Sequence, residues 1–321
     1  MFSVFITRHI PDKGLALLRA RNDISFSIYP KDKKISRREL ISHVRGAHAV
    51  LSLLTEKIDV EVFDAAGPQL TLVSNYAVGF DNIDLNEAKK RGVTITNTPS
   101  VLNDAVAEHT VALMFAVCRR IPEADTFVRK GKYKSWEPML LLGTELKGKT
   151  LGIIGLGRIG SRVAEIARHG LAMRVMYHDI IPNAEFEKQT NATYASLETV
   201  LTESDVISLH VPLLESTRHL IGQAQLAMMK KTAYLVNTSR GPIIDEHALV
   251  AALTRKQIAG AGIDVFENEP VLTRGLTKLS NVVLTPHIAS ATIEARNEMS
   301  VLACQAIIDV ADGKIPTNIV T

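Results

Sequence analysis

The chain has 321 residues, 46% of them hydrophobic and 22% charged, the balance of a globular protein long enough for two domains. A formal net charge of only +3 leaves no footprint for nucleic acid or for a basic membrane-binding surface. The two cysteines, Cys118 and Cys304, sit in apolar helical patterns and read as buried thiols of a reducing, cytoplasmic compartment, and no apolar run approaches a membrane span.

In chain order, the opening MFSVFITRHI lacks the charged and apolar regions of a signal peptide and reads as a first strand. Short β-branched runs follow at Val4–Thr7, Ile24–Ile28, Ala49–Leu53, Leu72–Asn75 and Val93–Thr96. Helical patterns fall between them, near Lys13–Ala20, Ser36–Val44, Val60–Ala65 and Leu85–Arg91. The lysines and arginines at 31–38 form a solvated loop leading into a helix. Pro99 and Ser100 break the chain before a long helix from about Asp104 to Arg120.

The stretch 131–148 holds the only Trp, Trp136, with lysines, Pro138 and flanking glycines, and reads as a loop crossing between domains. Strands resume near Gly152–Ile154, Val175–Tyr177, Val206–His210, Tyr234–Asn237, Gly262–Asp264 and Val282–Leu284, before a last helix from Ile293 to Ala311. Strands alternating with helices imply parallel sheets with crossover helices. The expected fold is α/β, with two Rossmann-like, doubly wound parallel-sheet domains and a cleft between them. The chain divides near 100 and again near 290, and the last helix is expected to return to the first domain.

At Thr150–Ala167 an apolar strand runs into Gly155-Leu156-Gly157-Arg158-Ile159-Gly160, then into a helical pattern, and a second strand ends at Asp179. This is the pattern of a dinucleotide-binding βαβ unit. Gly155 would permit the tight turn, Gly157 a close approach of backbone to pyrophosphate, and Gly160 close packing of helix on strand. The helix N-terminus, through the amides of Arg158 and Ile159, would face the diphosphate. A carboxylate at Asp179 suits both ribose hydroxyls and repels a 2′-phosphate, which points to NAD(H). The alternative is an Asp that caps the following turn.

Three clusters follow at strand ends, where open α/β sheets bind ligands. In Asn237-Thr238-Ser239-Arg240-Gly241-Pro242, an Arg suited to a two-point grip on a carboxylate is thrown out at the sheet's edge. Asp264-Val265-Phe266-Glu267-Asn268-Glu269-Pro270 supplies acids, and Thr285-Pro286-His287-Ile288-Ala289-Ser290 a histidine just past a strand. Taken singly, each reads as a structural residue. Together they suggest an imidazole held by a carboxylate, which fixes the tautomer and favours the charged form needed by a general acid.

On these residues the chain resembles the D-isomer-specific 2-hydroxyacid dehydrogenase family, most closely its glyoxylate/hydroxypyruvate reductase branch. The resemblance also rests on Ser74–Asp84 (SNYAVGFDNID), Asn97-Thr98-Pro99 and Asp104–Glu108, and covers essentially the whole chain. It implies that the domain of residues 1–100 plus 290–321 is flavodoxin-like and binds substrate, while 101–289 binds NAD, with 101–120 as a linking helix. It implies that Arg240 grips the substrate carboxylate and polarises the 2-oxo group, that His287 gives or takes the proton, and that Glu269 holds His287. The amides of Val78 and Gly79 would bind the carboxylate from the other domain, with Leu53 in the substrate pocket. Thr110, His210, Val211, Pro212, Thr217, Thr238, Asp264 and Ala289 would be cofactor contacts, Ala289 standing where many relatives have glycine. The implied partners are a small 2-oxo or 2-hydroxy acid and a second copy of the chain in a homodimer, with no metal, nucleic acid or membrane. Domain closure would hinge near 97–103 and 288–292.

Relatives on the same fold fit less well. A formate dehydrogenase would carry an amide in place of Glu269, and a phosphoglycerate dehydrogenase would usually carry an arginine near Asn75. A phosphite-oxidising relative would need extra basic residues. A rival of another class is a non-catalytic NAD(H)-sensing interaction protein, which would be expected to add interaction segments.

Overall fold

The computed structural model describes residues 1–320. The chain divides into two compact units, Met1–Leu102 with the segment from Ala291 onward, and Asn103–Ser290.

In the first unit the strands are β1 (Phe2–Ile6), β2 (Ile24–Ile28), β3 (Ala49–Ser52), β4 (Leu72–Asn75) and β5 (Thr94–Thr96). They form one parallel sheet in the order β2-β1-β3-β4-β5, the doubly wound order whose switch point lies between β1 and β3. Helices α1 (Asp12–Arg19), α2 (Arg37–His43), α3 (Val60–Ala66) and α4 (Leu85–Lys90) make the crossovers. Ser36 starts α2 with a capping box, its hydroxyl accepting from the Glu39 amide while the Glu39 carboxylate accepts from the Ser36 amide. Phe5, Val50, Val62, Phe63, Val73 and Ile95 are buried in one core. The C-terminal helix Ile293–Ala311 returns to this unit and packs on α1 so closely that a Cβ at Gly14 would lie 2.2 Å from the Ser300 carbonyl oxygen.

The second unit has seven parallel strands: β6 (Thr150–Ile154), β7 (Arg174–His178), β8 (Thr193–Tyr194), β9 (Val206–Leu209), β10 (Tyr234–Asn237), β11 (Gly260–Ile263) and β12 (Val282–Leu284). Their order is β12-β11-β10-β9-β6-β7-β8, so the chain reverses direction at β6 and its outgoing turn lies at the switch point. β6 and β9 are buried at every residue, as parallel strands covered on both faces must be.

The expected long helix is α5 (Asn103–Cys118), and an unexpected separate helix, α6 (Ile121–Arg129), follows it. Arg120 takes a left-handed φ of 55° between them, and Pro122 sits in the first turn of α6, where its missing N–H does no harm. After the glycine turn, α7 (Arg158–Glu165) passes into a π-helical turn, Ile166–Gly170. The two-residue β8 is too short to leave a pattern in the sequence. Both cysteines are buried free thiols, and burial pushes each pKa up to about 12.

Candidate active site

The first unit offers backbone rather than side chains. The chain leaves β4 at Asn75 and runs through Tyr76, Ala77, Val78 and Gly79. The Ala77 carbonyl accepts from the Thr98 amide at 2.8 Å, the Val78 carbonyl from Asn97 Nδ2 at 2.7 Å, and the Gly79 carbonyl from Asn75 Nδ2 at 2.9 Å. The neighbouring loop after β3 is braced in the same way. The Leu53 amide donates to Glu56 Oε2 at 2.7 Å, which also accepts from the Thr7 hydroxyl at 2.8 Å, while Asn82 Nδ2 donates to the Leu53 carbonyl at 3.2 Å. Leu53, Val78 and Gly79 are half-buried.

In the second unit the glycine turn has the shape that a pyrophosphate needs. Gly155 has φ 95°, and a Cβ there would lie 2.8 Å from the backbone of His210 and Val211. A Cβ at Gly160 would meet the Gly155 carbonyl oxygen at 2.1 Å. At Gly157 a Cβ would meet nothing within 4 Å, so the backbone there borders open space. Gly157 is also the N-cap of α7 and supplies no side-chain cap, leaving the first amides of the helix without a side-chain acceptor. Arg158 is exposed and Ile159 half-buried at that end.

Asp179 follows β7 directly. Its Oδ2 accepts from the Leu156 amide inside the glycine turn at 2.6 Å, and its Oδ1 from the Ile180 amide at 2.6 Å. The turn-capping bond is therefore present, together with a bond that ties the carboxylate to the phosphate loop. At the end of β9, His210 Nε2 lies 2.9 Å from the Ser208 hydroxyl, and burial depresses the pKa of the ring to about 3, so it is neutral near pH 7. Val211 is half-buried and Pro212 exposed. The Thr217 hydroxyl donates to the Pro212 carbonyl at 2.6 Å and closes that loop on itself.

Gly241 explains how the loops that carry Arg240 and Glu269 meet. A Cβ there would lie 1.9 Å from the Phe266 backbone, so only glycine lets the Arg240 loop lie against the Phe266–Glu269 loop. Asn237 shapes the arginine loop: its Nδ2 donates to the Arg240 carbonyl at 2.8 Å, and its Oδ1 accepts from the Ser239 amide at 3.0 Å. Glu269 Oε1 accepts from the Phe266 amide at 2.9 Å, and Oε2 lies 2.9 Å from His287 Nδ1. Burial alone would raise the Glu269 pKa. The hydrogen bond and charge of His287, the Phe266 amide and the positive charge of Arg240 outweigh it and hold the carboxyl below its ordinary value. An ionised Glu269 keeps the proton on Nδ1 and leaves Nε2 as the working nitrogen.

His287 itself is held in a left-handed conformation, φ 54°, its amide donating to the Asp264 carbonyl at 2.7 Å. Asp264 is fully buried, with Oδ1 accepting from the Thr285 hydroxyl at 2.6 Å and the Ile288 amide at 2.9 Å, and Oδ2 from the Ala289 amide at 2.9 Å. Burial opposes its charge, yet these donors and His109, 3.5 Å away, keep its pKa below the ordinary value. Asp264 thus clamps the histidine loop through both of its carboxylate oxygens. Thr110 is likewise fully buried, its hydroxyl donating to the Val106 carbonyl at 2.7 Å and lying 2.8 Å from that of Thr238.

The sequence places Asn97 at a hinge and Asn82 in a family motif, but assigns neither of them, nor Glu56, His109 or Thr285, a part in the site. Asn97 and Thr285 directly follow strand ends, which was the available signal; His109 lies inside α5, and Glu56, 4% exposed, betrays itself only once burial is known.

A family model described as D-isomer specific 2-hydroxyacid dehydrogenase, NAD binding domain, matches residues 111–289. The glyoxylate reductase of Thermofilum pendens is 50% identical over 320 residues, 99% of this chain and 94% of the relative. That of Korarchaeum cryptofilum is 48% identical over 319 residues, 99% and 95% of the two chains. The crystal structure of the TT0316 protein from Thermus thermophilus superposes with a TM-score of 0.94 at 40% identity, covering 100% of both chains. The chain belongs to the D-isomer-specific 2-hydroxyacid dehydrogenase family and is an oxidoreductase that works with a nicotinamide dinucleotide.

Proposed function

We propose that the protein reduces a small 2-oxo acid, glyoxylate or hydroxypyruvate, to the 2-hydroxy acid with NADH, forming the D isomer where the product is chiral. The observation that carries the chemistry is the Glu269–His287 pair at 2.9 Å beside the arginine loop, in a chain half identical to a glyoxylate reductase. Bound nicotinamide supplies the hydride to the carbonyl carbon. His287 Nε2 gives its proton to the carbonyl oxygen as that oxygen becomes an alkoxide, and Glu269 stabilises the charged imidazole before the transfer. Arg240 takes the substrate carboxylate and polarises the 2-oxo group. The amides of Val78 and Gly79 hold the same carboxylate, with Leu53 in the pocket wall. In the reverse direction His287 is the base.

The amides of the glycine turn, with Arg158 and Ile159 at the start of α7, take the pyrophosphate. Asp179 takes the ribose hydroxyls and disfavours a 2′-phosphate. Val211, Pro212 and Thr217 border the adenine side. Asp264 and Ala289 act on the nicotinamide end through the loop they hold together, and Thr110 and Thr238 support it from below. The chain works as a homodimer in the cytoplasm. Supporting the dimer, α6 has no buried residue and exposes Ile121 and Val128, and the following loop exposes Tyr133, Trp136, Met139 and Leu142. Supporting the compartment, both thiols are unpaired. Among the described residues no helix is long and apolar enough to cross a membrane.

The test is NADH absorbance with glyoxylate, hydroxypyruvate, pyruvate and a bulkier 2-oxo acid, repeated with NADPH. Turnover of the two smaller polar acids with NADH ahead of NADPH is expected. Tight NADH binding without turnover of any acid would overturn the enzymatic reading, and a preference for NADPH would overturn the role of Asp179.

A further inference from the structure

Three successive carbonyls, those of Ala77, Val78 and Gly79, are each tied down by a donor from the first unit. Two of those donors, the Asn97 side chain and the Thr98 amide, come from the stretch just after β5. Across a trans peptide the C=O and the N–H point in opposite directions. Fixing the Val78 carbonyl therefore aims the Gly79 amide away from Asn97, and fixing the Ala77 carbonyl aims the Val78 amide away from Thr98. Among the described residues neither the Val78 nor the Gly79 amide has an acceptor in the protein, and both residues are half-buried rather than solvated on all sides.

We infer that Asn97 is a positioning residue for substrate binding: by holding the Val78 carbonyl it keeps the Gly79 N–H turned outward, ready for a carboxylate. The inference rests on the function proposed above, in which these amides take the substrate's carboxylate. Asn97 is itself well fixed for this task. Its amide donates to the Asn318 carbonyl at 3.2 Å, and Asn318 Nδ2 donates back to the Asn97 carbonyl. Asn318 is buried, so this paired bond is shielded from water. The tether thus runs from the C-terminal segment through Asn97 to the one peptide plane whose tilt decides whether an anion meets an N–H or a carbonyl oxygen. Preorganised donors are effective because they need no reorientation when the ligand arrives.

The experiment compares wild type with Asn97→Ala and Asn97→Asp, the second keeping the shape while removing the donor. The quantities are KM for glyoxylate, kcat, the dissociation constant of NADH, binding of oxamate (an unreactive analogue with the same carboxylate) and Tm. Expected are rises of roughly tenfold in KM and in the oxamate dissociation constant, the worth of one hydrogen bond to a charged group, with kcat within about threefold and NADH binding unmoved. Asn97→Ser, which keeps a shorter donor, should recover part of the loss, and it stands in should the alanine variant not fold. A lowered Tm with unchanged KM and oxamate binding would make Asn97 merely structural and overturn the inference. A wild type that turns over no 2-oxo acid would remove the proposed function and this inference together; an active wild type with unmoved variants would remove the inference alone.

Discussion

In the function proposed above, the two units carry their chemistry in different materials. In the second unit it lies in side chains, Arg240, Glu269 and His287, with the Glu269 carboxylate 2.9 Å from the His287 ring. In the first it lies in main-chain amides at Val78 and Gly79, in a stretch whose peptide planes are turned by the side chains of Asn75 and Asn97. Residue identity therefore reports where a proton or a charge can be exchanged. It barely reports where a backbone donor has been aimed. A side-chain site is broken by deleting a functional group, whereas a backbone site is broken only indirectly, through whatever holds the plane.

Substitutions in the second unit put this contrast at risk. The greatest loss is expected at His287: replacement by Ala should lower kcat by about 10²–10⁴-fold while leaving the NADH dissociation constant unchanged, measured by single-turnover absorbance and fluorescence titration. A nearly normal rate would move the proton transfer elsewhere. Next is Arg240→Lys, which keeps the charge but loses the planar two-point grip. Here kcat/KM should fall roughly 10- to 100-fold, in both KM and kcat, because the arginine binds and polarises at once. A change confined to KM would make it equivalent to the backbone amides of the first unit and erase the distinction.

A milder change concerns pH. Glu269 and Asp264 both have depressed folded-state pKa values. Each therefore contributes stability that is complete above the unfolded carboxylate pKa and is lost only as pH falls through the lower folded value. The pH dependence of kcat/KM for reduction should accordingly show its acid-side loss below about pH 4.3, the ordinary glutamate range. Glu269→Gln should lower activity and abolish that limb. An acid limb centred above about pH 5 would mean that the carboxylate is not held in its charged form.

Much of this molecule was legible in its residues. The alternation of β-branched runs with amphipathic stretches marked all strands of the first sheet within a residue or two; the inner strands β3 and β4 are buried at every residue, while the edge strand β2 alternates between buried and exposed. The glycine turn was legible because each glycine answers to a contact that a Cβ would violate or to a space it would fill. The end of the long helix near Arg120 was legible, but the separate helix α6 was not, although Pro122 fits its first turn, because its short apolar pattern runs straight into the lysine- and glycine-rich loop. The internal hydrogen-bond partners of Asp264 and Thr110 were illegible for another reason. A polar residue at a strand end has the same letter whether its oxygen meets a ligand or a neighbouring loop, and only burial separates the two. Asn97 belongs to the same class: its value lies in which carbonyl it reaches, and that is a property of the fold.

His287 occupies a backbone region where an L side chain is about 1–2 kcal/mol less comfortable than glycine. The Asp264 clamp holds it there against that preference. At an ordinary position alanine is the more stabilising replacement, because glycine gains more freedom when the chain unfolds. At position 287 the order should invert, with His287→Gly melting above His287→Ala, both being inactive. As the proposed proton donor, His287 is thus a standing concession in stability. Selection for a tougher fold and selection for turnover would push this single position in opposite directions.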